Sequence, residues 1–381
     1  MNTLILLVLV GVAAADFAPL LRVDDSPKGR YLIKFKDDVD VDTVADGIQS
    51  HVQQQRLGQS KISHRYHHVL KGMAAELSDE ALEYIRTLDE VEYVSEDGVA
   101  HATAQPWGLD RIGQRNLPLD GSFSTNSAYK QGAGVRIYVL DTGVRSTHND
   151  FGGRATAAYD AYGGNGQDCQ GHGTHCAGIA AGSYYGVAKK ATIMGVKVLG
   201  TPACTGSGSY SAIVAGLDYV VNYGQKPGVV SMSLGGPKST YMENALKNVV
   251  SNGYPVVVAA GNDNSNACYT SPAWLSEAIT VGSTDTYDYR SSFSNYGSCV
   301  DIFAPGSNIQ SDYYTSDSAT VVMSGTSMAC PAVAGISALY LAQSSGLSPS
   351  QIKSKLTSEA TSNVIYYVGS GSPNLLAYVS P

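Results

Sequence analysis

The sequence contains no Asn-x-Ser/Thr triplet, so it offers no acceptor for N-glycosylation. It has no excess of positive charge: 25 Lys and Arg stand against 33 Asp and Glu, a formal net charge of -8. That balance argues against nucleic acid or an anionic membrane as partner, because both favour a basic face. No apolar run is long enough to cross a bilayer. The nearest is residues 4–12, followed by Ala13, Ala14 and Ala15. A short apolar run before small residues is the pattern of a secretory signal, here with cleavage before Asp16. Its first three residues carry no Lys or Arg, which departs from that pattern. There is no internal repeat and no low-complexity tract. Cysteine is missing from everything before Cys169.

What is present begins with six cysteines, at 169, 176, 204, 268, 299 and 330. An even count behind a secretory signal predicts at least some disulfides. The 381 residues, 43% of them hydrophobic, are enough for one large core and a smaller domain. Residues 16–100 are richer in charge and hold His51, His64, His67 and His68. Strand patterns at 31–36, 73–77 and 91–94, with helical patterns at 41–57 and 78–88, predict a small α+β domain. Residues 101–106 read as a linker.

From Trp107 the texture changes. An apolar run at 135–140 ends in Asp141-Thr142-Gly143. Further short strands are predicted at 229–234, 255–260, 278–282 and 300–303. Helical patterns fall at 175–181, 211–222, 241–251 and 327–343. Helices alternating with apolar strands predict an α/β fold, a parallel sheet with helices on both faces. In such folds chemistry sits where strands end and loops or helices begin.

Four polar residues fall at those places. Asp141 ends a buried strand, and His172 lies in Gly171-His172-Gly173-Thr174-His175 before a helix. Ser327 opens a helix after Ser324-Gly325-Thr326, and Asn262 follows Ala259-Ala260-Gly261. A serine hydroxyl is a weak nucleophile until a base takes its proton, and the base needs a third group to orient it. A helix N-terminus and a side-chain amide can both stabilise a developing oxyanion. Each residue alone also fits an ordinary cap, turn or loop. Their conjunction favours chemistry. A compact zinc cluster of Cys169, His172, His175 and Cys176 is the rival reading of one stretch.

The chain resembles the subtilases, most closely the proteinase K and aqualysin branch. Besides the segments around Asp141, His172, Asn262 and Ser327, the resemblance rests on Pro106-Trp107-Gly108-Leu109, Ser231-Met232-Ser233-Leu234-Gly235-Gly236 and Phe293-Ser294-Asn295-Tyr296-Gly297. It covers the chain from about residue 102 almost to its end. It implies a secreted serine endopeptidase with a subtilisin-like fold. Asp141 would orient His172, His172 would act as general base and then acid, and Ser327 would attack the carbonyl. Asn262 and the Ser327 N–H would form the oxyanion hole. Gly206, Ser207 and Gly208, and Ser233, Leu234 and Gly235, look like the two edges that flank an extended peptide. Ala259, Ala260 and Gly261 look like a wall of the first specificity pocket, small and uncharged, suited to an apolar or aromatic residue. A secreted pseudo-protease that binds peptides without cutting them is the alternative, and the intact set of catalytic residues speaks against it.

The same resemblance divides the chain into a signal peptide (1–15), an inhibitory propeptide domain (16–101) and a peptidase domain (102–381). The enzyme would cut its own chain near residues 100–103. It implies disulfides Cys169–Cys204 and Cys268–Cys299, leaving Cys176 and Cys330 as buried thiols or a third bridge. It implies a structural calcium ion (Ca2+) on the carbonyls of Ser276 and Ala278 and the carboxylate of Asp301. A second site would lie near Asp110, Gln114 and Asp120, although Gly113 stands where related chains have a carboxylate. Expected partners are protein or peptide substrates and the chain's own propeptide, with no nucleic acid and no membrane, and the expected state is a monomer. One departure lies beside the nucleophile: Cys330-Pro331-Ala332 replaces the usual Thr/Ser-Pro-His.

Overall fold

The structure is a computed structural model and describes residues 17–22, 28–58, 60–97, 105–200 and 204–381. The predicted signal peptide and the predicted self-cleavage junction lie outside the described residues. Two compact units make up the chain, Met1–Ala102 and Thr103–Pro381. Among the described residues no helix is long and apolar enough to cross a membrane.

The first unit has strands β1 (Leu20–Leu21), β2 (Arg30–Phe35), β3 (Ser60–Tyr66), β4 (Gly72–Leu77) and β5 (Val91–Glu96), and helices α1 (Val41–Gln55) and α2 (Asp79–Arg86). The sheet order is β1-β5-β2-β4-β3. Its pairs are antiparallel except β1 with β5. Asp40 starts α1 by accepting the Thr43 N–H at 2.9 Å, and Ser78 caps α2 through the Ala81 N–H. Val41, Ala45, Ile48 and Val52 form the stripe that α1 buries in the unit's single core, with Ile33, Phe35 and Met73 from the sheet. β3 was not predicted. It is an edge strand with little apolar alternation, and His64 on it, like His67 and His68 after it, is exposed.

In the second unit the main strands are β6 (Arg136–Asp141), β7 (Ala155–Asp160), β8 (Thr192–Lys197), β9 (Gly228–Met232), β11 (Val256–Ala259), β13 (Ile279–Thr284) and β14 (Ile302–Pro305). Short pairs add β10 (Gly236–Pro237) with β12 (Thr270–Ser271) and β15 (Ile309–Asp312) with β16 (Thr320–Met323), while β17 (Thr361–Ser362) and β18 (Leu375–Leu376) close one edge of the sheet. The helices are α3 (Trp107–Gly113), α4 (His172–Ala181), α5 (Tyr210–Tyr223), α6 (Thr240–Ser251), α7 (Thr326–Gln343) and α8 (Pro349–Glu359). The nine-stranded sheet runs β17-β18-β14-β13-β11-β9-β6-β8-β7 and is parallel except at β17–β18.

Alternation along β6 shows why both faces are covered. Ile137 and Val139 enter a core shared with α4 and α7, whereas Tyr138 and Leu140 enter one shared with α5 and α6. The predicted strands and helices all appear, with shifted ends. β7, β8, α3 and α8 were not predicted, nor were the short strands β10, β12 and β15–β18. Gly195 interrupts the apolar run of β8, and α8 buries only Ile352 and Leu356. β6 lies between β8 and β9, so the loops after β6 and β9 diverge and leave a crevice at their carboxyl ends.

Candidate active site

Asp141 is the last residue of β6 and has no exposed surface. Its Oδ1 accepts the Thr142 N–H at 2.7 Å and lies 2.8 Å from His172 Nδ1. Its Oδ2 is buried without a hydrogen-bond partner among the described residues. His172 is the first residue of α4. The start of that helix can approach the end of β6 because residue 173 is glycine: a Cβ there would sit 2.1 Å from the Gly143 carbonyl oxygen. Burial pushes the His172 imidazole down, but the adjacent Asp141 carboxylate outweighs it and holds the pKa well above the ordinary 6.5.

Asp168, which sequence reasoning missed, builds the loop that carries this histidine. Its buried carboxylate accepts N–H groups from Gln170, Gly171 and Thr174 and hydroxyls from Thr142 and Thr174, at 2.6–2.9 Å. The Asp-x-Gln-Gly-His spacing is the signal that could have found it.

Ser327 is the second residue of α7. Pro331 lies four residues further on and has no N–H to give the Ser327 carbonyl. That carbonyl instead accepts the Ser233 hydroxyl at 2.8 Å and the Cys176 thiol at 3.3 Å. Cys176 Sγ is also 3.9 Å from His172 Nδ1, so one thiol touches both the nucleophile's backbone and the base. The Ser327 hydroxyl donates to Ser233 O at 3.4 Å.

The Asn262 Oδ1 accepts the Thr326 N–H at 2.8 Å and the Thr326 hydroxyl at 2.9 Å. This fixes the amide and leaves its NH2 without a protein partner among the described residues. Gly261 has φ +102°, and a Cβ there would collide with Asn295. Asn295 in turn donates to Ala260 O and accepts the N–H groups of Asp263 and Ser265. Thr326 and Asn295 therefore position Asn262. Their motifs were visible, but their contacts were not.

A cleft of about 570 Å³ opens beside the start of α7. Ser233, Leu234 and Gly235 line it, as do Ala259, Ala260, Gly261, Asn262, Thr326 and Ser327. Gly236, Pro237, Asp263, Thr270 and Ser271 complete it and were not predicted as lining residues. Gly206, Ser207 and Gly208 do not line this cleft. They form an exposed segment before α5, beside Gln170, whose side-chain oxygen accepts the His172 N–H.

The disulfides are Cys169–Cys204 and Cys268–Cys299, and Cys176 and Cys330 are buried free thiols. Burial pushes the Cys330 thiol up to about 12 and raises Cys176 as well, so neither is an activated thiolate. The zinc reading is overturned. Cys169 is consumed by its disulfide, and His175 Nε2 is turned to the Ile309 and Val321 carbonyls. The three residues expected to bind calcium do converge, but on a side chain. Ser276 O, Ala278 O and Asp301 Oδ1 each face the Lys353 ammonium, so these residues do not fit a metal ion as they stand. Near Asp110, Gln114 gives its amide N–H to the Pro118 carbonyl and its oxygen accepts the Asp120 N–H, while Asp110 Oδ1 is buried without a hydrogen-bond partner among the described residues.

A buried carboxylate paired with an imidazole, next to a serine at a helix N-terminus, is the arrangement of serine hydrolases. The Subtilase family profile matches residues 132–375, and the Peptidase inhibitor I9 profile matches residues 30–103. An extracellular serine proteinase of Thermus sp. (strain Rt41A) is 44% identical over 389 residues, covering 96% of this chain and 93% of that protein. Proteinase R of Parengyodontium album is 42% identical over 327 residues, covering 84% of this chain and 82% of the relative. A crystal structure of a cold-adapted subtilisin-like serine proteinase superposes with a TM-score of 0.69 at 48% identity, over 73% of this chain and 99% of that one. The chain belongs to the subtilase family of serine proteases, and its N-terminal unit is an I9-type inhibitor domain.

Proposed function

We propose that this chain is the precursor of a secreted endopeptidase, and that Asp141, His172 and Ser327 are its catalytic triad. The observation that carries this reading is the 2.8 Å Asp141–His172 contact, joined through the Cys176 thiol to the backbone of Ser327, which with Asn262 lines the cleft. The Asp141 carboxylate fixes the Nδ1–H tautomer of His172 and favours the imidazolium formed when His172 takes the Ser327 proton. Ser327 Oγ then attacks the carbonyl carbon. The resulting oxyanion is met by the Asn262 NH2 and the N–H at the start of α7. His172 returns its proton to the leaving amine, and water repeats the sequence to free the enzyme. Because His172 must be neutral to act as base, kcat/KM falls as the pH drops through its raised pKa.

The cleft walls are small and uncharged at Gly235, Ala259, Ala260, Gly261 and Ser271, with Asp263 the one charged residue of the lining, and these small walls support an apolar or aromatic residue before the cleaved bond. The residue 206–208 and 233–235 segments supply the backbone edges for an extended substrate. The inhibitor domain supports self-cleavage near residues 100–103 and inhibition by residues 16–101 until they are removed. The relatives' extracellular names and the apolar start of the chain support secretion. The cleft needs no second copy of the chain, which supports a monomer.

The test is cleavage of denatured casein by the purified protein beside Ser327→Ala, followed by mass spectrometry of each protein's own N-terminus. Wild type should cut casein and begin near residue 100–103, and the variant should do neither. The loss measured for subtilisin, a member of the same family, sets the scale at about 10⁶ in kcat. A folded wild type that leaves casein and itself intact would reject the proposal in favour of a peptide-binding pseudo-protease.

A further inference from the structure

We infer that the ammonium group of Lys353 is a built-in replacement for a structural metal ion. It fills a three-oxygen cradle that, without it, would bind calcium. The cradle is made of the Ser276 and Ala278 carbonyls, just before β13, and the Asp301 carboxylate, just before β14. Lys353 reaches it from α8. Its Nζ lies 2.8 Å from Ser276 O, 2.7 Å from Ala278 O and 2.8 Å from Asp301 Oδ1. An ammonium has three N–H donors, and here all three have an acceptor. The distances are those of charge-assisted hydrogen bonds.

The oxygens are held for a cation rather than gathered by the lysine. Asp301 Oδ2 accepts the Thr280 N–H at 2.9 Å, and the Asp301 N–H returns to Thr280 O at 2.9 Å. The Ala278 N–H closes a turn onto Leu275 O. Two carbonyls and one carboxylate, aimed at one point, form an oxygen donor set of the kind calcium takes, with water completing its shell. A calcium ion at that point would stand where Nζ stands and would repel it. Only one of the two can be there. The Lys353 side chain is about three-quarters buried, so its charge has little other hydration.

The bracket also bears on the cleft. The chain from Thr270 and Ser271, which line the cleft, runs directly to Ser276 and Ala278. Lys353 therefore ties α8 to the segment that follows the cleft-lining Thr270 and Ser271 in the chain. The cradle is separate from the triad, so the inference stands or falls independently of the catalytic reading.

The experiment compares wild type, Lys353→Ala and Asp301→Asn as purified self-processed proteins, blocked with a sulfonyl fluoride to stop autolysis. Melting temperature is recorded in EGTA and in excess calcium, and bound calcium is counted by mass spectrometry after gel filtration. In EGTA, Lys353→Ala should melt on the order of 5 °C below wild type. Calcium should restore most of that loss, and the variant should hold one more calcium per chain than wild type. Equal calcium counts and equal calcium-induced shifts in the two proteins would overturn the inference. So would a destabilised Lys353→Ala that takes up no extra calcium, because the contact would then be an ordinary ion pair. Should Lys353→Ala not fold, Asp301→Asn decides the matter: it should melt lower than wild type with the same calcium count, and a lost calcium would show that a metal held the site all along.

Discussion

Arg65 in the first unit reaches Asp42 at 2.8 Å and Asp46 at 2.6 Å, and all three side chains meet water. Arg111 in the second unit holds Asp288 through two bonds, 2.6 Å from Nε and 2.9 Å from a terminal nitrogen, with almost no exposure on either side. The chemical groups are the same, but their surroundings are not. Water competes for the first pair and screens it, so it adds little stability. The second pair has no such competitor, and losing one partner strands the other charge. The contrast extends to the whole of each unit. The first has a single apolar core under one sheet and charge on its surface. The second encloses Asp141, Asp168, Asp288 and Asp312 within its fold. That difference suits an inhibitor domain that is discarded and a catalytic domain that must hold polar groups in fixed geometry.

The sharpest way to test the contrast is Asp288→Ala. It should cost about 3–5 kcal/mol, read as a lower denaturant midpoint, because Arg111 remains buried without its partner. An effect below about 1 kcal/mol would mean that the second unit relaxes around a lost charge as easily as the first. Next in size is Asn262→Ala. The loss measured for the equivalent group of subtilisin sets the expectation at about 10²–10³ in kcat, with little change in KM or melting temperature.

The third test uses pH. Burial, with the Asp150 carboxylate nearby, pushes the Asp312 carboxyl up to about 8, and His148 Nδ1 lies 3.4 Å from its Oδ1. Its folded pKa exceeds the unfolded value of about 3.9. Asp312 therefore contributes stability that is complete in acid and is lost as pH rises through about 8. Asp312→Asn keeps the shape without the titration. It should raise the melting temperature at pH values above the shifted pKa and flatten the slope below it; an unchanged slope would place the titration elsewhere. The smallest effect belongs to the surface. Arg65→Ala should cost at most ~1 kcal/mol in the first unit, and less as salt is added. A loss comparable to that of Asp288→Ala would erase the distinction between the units.

Much of this was legible before the structure. Asp141, His172, Asn262 and Ser327 stand in short glycine-bearing motifs near the ends of apolar strands or the starts of helices; Asn262 and Ser327 line one cleft, and the Cys176 thiol touches both His172 and the Ser327 carbonyl. The strands that were missed are those whose neighbours hide them. β3 and β7 are edge strands with mixed exposure, and β8 contains a glycine that packs against Val144. The residues that position the site were legible as motifs without a role. Pro331 frees a carbonyl for Ser233 and Cys176, and Asn295 holds the loop of Asn262, but neither partner is near in sequence.

What the sequence determined by itself was the order of buried strands and helices and the residue types at their ends. These follow from the apolar period and from local turn chemistry, which act over a few residues. What only the tertiary structure decided was which distant groups meet. Sequence reasoning assigned the oxygens of Ser276, Ala278 and Asp301 to calcium, and the fold gave them Lys353, whose ammonium bonds Ala278 O from 75 residues away. A cradle of oxygens selects positive charge and compatible distances. The path of α8 determines whether that charge arrives as an ion or on a side chain.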